Sequence, residues 1–96
     1  MQFIIKAYDG EGMLSKRMAV RQLHLEGMAA LGKQVICAGG LLDEEGKIKG
    51  SALVLEFPDK TSLDEYLRNE PYVVGGIWQR IEVEPMNVVL LEGEKY

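Results

Sequence analysis

Two apolar stretches constrain this chain more than any other feature of it. Residues 34–42 (QVICAGGLL) and 50–57 (GSALVLEF) are almost uninterruptedly hydrophobic, and polar turn material at residues 43–47 (DEEGK) stands between them. A strand with one wet face alternates apolar and polar residues, whereas a strand without that alternation has both faces covered. The pair therefore reads as a hairpin within a sheet whose two faces both need cover.

The flanking segments supply cover for one face. Residues 3–8 (FIIKAY) form a short β-rich run that ends at the turn pair Asp9-Gly10. No proline occurs from Met13 to Lys33, and Leu14, Met18, Leu25 and Met28 recur at helical spacing, with Ser15 near the start and Gly32 near the end. Thr61 or Ser62 is placed to cap a second helix over residues 63–68, in which Leu63, Tyr66 and Leu67 fall at i, i+3 and i+4, and Pro71 ends it. Residues 77–91 read as the last strand, alternating at Ile81-Glu82-Val83-Glu84 and bent or split at Pro85. The order β-α-β-β-α-β is the split βαβ of the ferredoxin-like α+β fold, an antiparallel sheet with its helices on one face. The uncovered face is most simply hidden by a second subunit's sheet, so a homodimer is expected, with higher assembly left open.

Composition narrows the function classes. Ninety-six residues make one domain, residues 1–96. So short a chain buries only about 60–65% of its unfolded surface, and association adds core. A net charge of −4 with no basic stripe argues against a nucleic-acid partner. No apolar run approaches the ~18 residues of a membrane span, and the start MQFIIKAYDG lacks the pattern of a signal peptide. A cytoplasmic protein without a membrane partner is expected. One Cys and one His are too few for a protein-only zinc site, and a lone Cys37 cannot close an internal disulfide. Neither GxxxxGK[ST] nor a strand-GxGxxG-helix arrangement occurs, so no metal and no cofactor are expected. Cys37, flanked by apolar residues, reads as an inert thiol.

The first helix carries the chemistry. At about 100° per residue, Leu14, Met18, Leu25 and Ala29 lie on one edge of an apolar arc that Met28, Val20, Leu31 and Met13 continue. This arc is the expected buried face. Arg17, Arg21 and His24 project into it rather than away from it, and Arg21 sits nearest its middle. A buried cation needs a partner, so the trio implies an anion, a carboxylate or a solvated cavity beneath the helix. Taken singly, Arg17 reads as a snorkelling or ion-paired side chain and His24 as a satisfied core histidine. Glu70 precedes Pro71-Tyr72, where it caps a short helix or, if it meets His24, orients the imidazole as a general base. Gly39-Gly40 reads first as a β-bulge and second as a place where a ligand approaches the backbone.

Residues 16–25 (KRMAVRQLHL), Ala38-Gly39-Gly40, residues 70–76 (EPYVVGG) and Val83-Glu84-Pro85 together resemble the YciI-like proteins, the YCII-related domain. The resemblance spans nearly the whole chain. Its most specific parts are the R-x-x-H-L of Arg21 to Leu25 and the acid-Pro-Tyr of Glu70 to Tyr72. It implies a dimeric α/β barrel of two ferredoxin-like sheets and an active-site histidine with an acidic partner, matched here by His24 and Glu70. The family usually carries Asp where this chain has Glu70, one methylene longer. Some relatives are linked to dechlorination of ring compounds, and the wider barrel group includes lactone isomerases and monooxygenases.

The expected function is metal-independent proton transfer, a lyase or isomerase reaction, on a small anionic or cyclic molecule. His24 is the expected acid/base and Glu70 its orienting partner, with Arg21, Arg17, Tyr72 and Gly40 expected at the substrate. The competing reading is a non-catalytic module for small-ligand binding or dimerisation. A monooxygenase rests on fold analogy alone and ranks last.

Overall fold

The first strand's alternation decides which way the sheet faces. Gln2–Asp9 (β1) buries Phe3, Ile5 and Ala7 and turns Gln2, Ile4, Lys6 and Tyr8 to the other side. The computed structural model describes all 96 residues. After β1 come α1 (Leu14–Leu31), a 3-10 turn (Gly32–Gln34), β2 (Val35–Leu42), β3 (Ile48–Glu56), α2 (Lys60–Asn69), α3 (Pro71–Val74) and β4 (Trp78–Met86). A small hairpin of β5 (Leu90–Leu91) and β6 (Glu94–Lys95) follows. The main sheet runs β2-β3-β1-β4, and β1 pairs antiparallel with both neighbours, so that Ile5 stands opposite Leu53 and Val83. This is the ferredoxin-like α+β arrangement read from the sequence.

The core lies between the sheet and the helices. Phe3, Ile5, Leu53 and Leu55 meet Leu63 and Leu67 of α2, Tyr72 of α3 and the pair Ile77-Trp78. Each fully buried aliphatic or phenyl side chain contributes about 1.5–3 kcal/mol relative to exposure. Gly50 is needed where it stands: a Cβ there would collide with the carbonyl oxygen of Ala7 on β1. The opposite face carries Cys37, Val54 and Ile4 in one row and Gly39, Ala52 and Lys6 in the next, with nothing from the chain's helices over them.

Three local expectations are corrected. The cap of α2 is Asp59, whose carboxylate accepts from Ser62 N at 2.8 Å, rather than Thr61 or Ser62, because the helix begins at Lys60. That bond holds the Asp59 carboxyl below its usual range. The last strand ends at Met86 and runs through Pro85, which an edge strand tolerates, while Leu90–Leu91 pair with Glu94–Lys95 instead. The irregular register of β2 falls at Val35/Cys37 and Leu41/Leu42, so Gly39 and Gly40 form no bulge and face Ala52 and Ser51 regularly. Cys37 is exposed on the outer face of this chain. No helix is long and apolar enough to cross a membrane.

Candidate active site

The side chains that α1 buries are Arg17, His24 and Met28. On a helix of 3.6 residues per turn these three lie within about 40° of one another. The apolar edge expected to be buried lies outside them: Leu14 is 60%, Met18 56% and Leu25 45% exposed. Arg21, expected at the middle of the buried arc, is exposed as well. The reason is the way the helix packs. It leans chiefly on α3 and leaves a cavity of about 520 Å³ between itself and β2–β3, with Met18, Arg21 and Leu25 along its rim and His24 and Tyr72 within.

His24 and Glu70 meet. The imidazole Nδ1 lies 2.8 Å from Glu70 Oε1, and both side chains are buried. The glutamate is the N-cap of α3: the same Oε1 accepts from the Tyr72 backbone N–H at 3.0 Å. Its Oε2 accepts from the Tyr66 hydroxyl at 2.9 Å. The extra methylene relative to Asp therefore reaches the imidazole without giving up the cap. An ionised carboxylate only accepts, so the neutral ring carries its proton on Nδ1 and keeps its lone pair on Nε2, an assignment made from the network. Nε2 has no partner within the chain.

The aromatic neighbours hold this ring in place. Tyr72 stacks on His24 at 4.0 Å and 12° between planes, and Trp78 meets both rings edge-on. The Arg17 guanidinium carbon lies 4.7 Å from the centre of the Tyr72 ring. Arg17 and His24 are seven residues apart, roughly 10.5 Å along the axis, so the Tyr72 ring is wedged between them. Burial pushes the Tyr72 phenol up, tempered by the charges of Arg17 and Arg21. Burial first, then the charge and hydrogen bond of Glu70, push the Tyr66 phenol up strongly.

Arg17 borders the cavity but is held by the protein. Its Nη1 donates to both carboxylate oxygens of Asp9 at 2.8 and 2.9 Å, and its Nη2 to Ser51 Oγ at 2.9 Å. Arg17 is thus ion-paired, as its residue type and position first suggested, rather than free to hold a substrate, and Arg21 is left as the cation without a protein partner at the rim. Gly40 borders the same space from β2. Asp9, Ser51 and Tyr66 were not expected at the site. Asp9 read as a turn residue, although it ends the strand that leads into α1 eight positions before Arg17. Tyr66 read as helix core, although it precedes Glu70 by one helical turn. No three His, Cys, Asp or Glu side chains converge in a way that could hold a metal ion.

Fold and site together define a small ferredoxin-like α+β protein with a histidine–carboxylate couple sunk beside a helix-rimmed cavity. Residues 1–87 match the YCII-related domain, and the chain belongs to that family. Protein YciI of Escherichia coli is 26% identical and a Haemophilus influenzae protein 29% identical, each alignment covering 93% of this chain and 99% of the relative. Among solved structures, the chain resembles 5-chloro-2-hydroxyhydroquinone dehydrochlorinase of Burkholderia phenoliruptrix in complex with 2,5-dihydroxybenzoquinone. That match has a TM-score of 0.84 at 23% identity and covers 91% of this chain and 94% of the other. An antibiotic biosynthesis monooxygenase matches with a TM-score of 0.57 at 13% identity over 93% and 98% of the two chains. Both are likenesses of fold.

Proposed function

We propose that this protein is an acid/base enzyme that removes and returns protons on a small cyclic, acidic substrate, by elimination or isomerisation. The observation that carries this reading is the buried His24–Glu70 couple, whose Nε2 is unpartnered in a residue bordering the cavity. Nε2 takes a proton from the substrate, and Glu70 stabilises the imidazolium that forms. The electron pair released forms a new double bond. In elimination an anionic leaving group departs with its bonding pair; in isomerisation the imidazolium returns the proton to a second carbon. Arg21 at the rim offsets the negative charge that develops on a substrate oxygen. The fold likeness to a dehydrochlorinase makes chlorinated hydroxyhydroquinones the first compounds to try.

The test is turnover of such a panel by the wild type and by His24→Asn. The variant is expected to lose about 10²–10⁴-fold in rate with unchanged circular dichroism. Equal rates would remove His24 from the chemistry. A second reading, binding without turnover, is favoured by Glu70 serving as the cap of α3, which explains the couple without chemistry. Ligand binding with no turnover across the panel would support it.

The reading includes a homodimer, formed by a second copy over the outer face where Cys37, Val54 and Ile4 lie in one row. Sedimentation velocity is expected to show a dimer that Val54→Glu dissociates; a monomeric wild type would overturn it.

A further inference from the structure

Gly39 and Gly40 occupy the interior of β2 without a backbone reason. Neither has a positive φ, and both hold regular register. A Cβ on Gly39 would meet nothing within 4 Å, and one on Gly40 would make only ordinary contact, 3.7 Å from Ile48 at the nearest. Glycine weakens a strand interior relative to alanine, so the isolated chain has nothing to gain from either. The two point opposite ways. The backbone of both borders the cavity, but a side chain at Gly40 would stand in the inner row opposite Ser51, beneath α1, whereas one at Gly39 would stand in the outer row opposite Ala52.

Gly40 therefore leaves open the wall of the cavity that faces α1, where Met18, Leu25 and Ala29 form the other wall. A second observation points to a ligand in the same space. His24 and Tyr72 both border it at only 7% and 1% exposure, and the imidazole Nε2 and the phenol hydroxyl have no partner in the chain. Two apolar walls, unpartnered polar groups inside and the Arg21 cation at the rim describe a space bounded by α1 on one side and by the bare β2 backbone on the other.

We propose that Gly40 is a specificity-determining residue whose missing side chain admits a flat ring, which lies face-on against the β2 backbone with an acidic substituent toward Arg21. The inference deepens the acid/base reading and rests on it only for the chemistry that follows binding. A flat ring makes contact with a bare backbone over its whole face, whereas the axial hydrogens of a puckered ring of the same size hold its carbons off that surface.

Benzoate and cyclohexanecarboxylate share their charge and carbon count and differ in flatness, which makes them the probes. Calorimetry on the full chain, with Trp78 fluorescence as a second readout, is expected to show benzoate binding at least about tenfold more tightly than cyclohexanecarboxylate. Gly40→Val is expected to weaken benzoate by about tenfold or more, and Gly40→Ala by less, at a melting temperature no lower than that of the wild type. Gly39→Ala, turned to the other face, is expected to bind within about twofold of the wild type. Equal affinity for the two rings, wild-type affinity in Gly40→Val, or no benzoate binding at millimolar concentration would each overturn the proposal. His24→Asn separates the two ideas: it is expected to keep the preference for the flat ring while losing turnover, so a failure of the chemistry leaves that preference standing.

Discussion

On α1, Arg17, His24 and Met28 are buried, while Leu14, Met18 and Leu25, about 80° round the same helix, are 45–60% exposed. Polarity and burial are exchanged relative to an ordinary amphipathic helix, and the two rows differ in what satisfies them. Each base in the inner row has its own carboxylate, Asp9 for Arg17 and Glu70 for His24; Asp9 takes Arg17 with both oxygens, and Glu70 also accepts from the Tyr66 hydroxyl and the Tyr72 backbone N–H. The outer row has no such partners in the chain and lies on or near the cavity rim. A helix built this way does little to seal the core; it presents paired bases to one end of a hollow and a greasy edge to its opening.

The largest effect is expected where the inner row loses a partner. Arg17→Leu leaves Asp9 buried without its cation and is expected to cost about 3–5 kcal/mol in urea unfolding. The double change Arg17→Leu with Asp9→Leu should recover much of that loss; no recovery would mean that the pair matters for more than mutual neutralisation. Glu70→Ala is next, at about 2–3 kcal/mol, because it removes the α3 cap, leaves the Tyr66 hydroxyl only the Met28 sulfur and strands the imidazole N–H. Glu70→Asp is expected to retain most of the stability and of any turnover.

A smaller effect tests the phenols that support the inner row. Tyr66 and Tyr72 are both held above the ordinary value of 10.0 by burial, Tyr66 also by Glu70. In the unfolded chain these phenols release their protons near pH 10, whereas in the folded chain they keep them, so the unfolded state binds fewer protons above that pH. Stability is then complete below about pH 10 and falls as pH rises beyond it. Urea melts across that range, with tyrosinate absorbance, should show the decline; constant stability to about pH 11 would contradict it. The smallest effect belongs to the outer row, where Met18→Ser and Leu25→Ser are expected to change stability by at most about 0.5 kcal/mol in dilute solution. A larger loss that grows with protein concentration would reveal a second copy covering the row.

The first three strands were legible because their signals are local, the β-rich run at residues 3–8 and the apolar runs on either side of the polar turn at residues 43–47, whereas the last strand was read too far because Leu90–Leu91 pair with Glu94–Lys95 instead. The presence of α1 was equally legible. Its orientation was not, since a helical wheel assigns the inside to the apolar majority, and here two distant carboxylates let a polar minority take that place. Asp9 and Ser51 became site residues only through the approach of β1 and β3 beneath Arg17, which no spacing along the chain encodes. Glu70 was legible as a cap, and its meeting with His24 required α3 to lean on α1. The Gly39-Gly40 pair reads first as a bulge because glycine in a strand often marks one, whereas the register stays regular through both residues.

The two borders of the sheet are unequally guarded. β4 carries Glu82 and Glu84 and contains Pro85, which makes it a poor template for an added strand, whereas β2 has neither charge nor proline from Val35 to Leu42. If partial unfolding bares the margins of this molecule, strand-by-strand growth toward aggregates would begin at β2, and a lysine on its outer face would be the most direct safeguard.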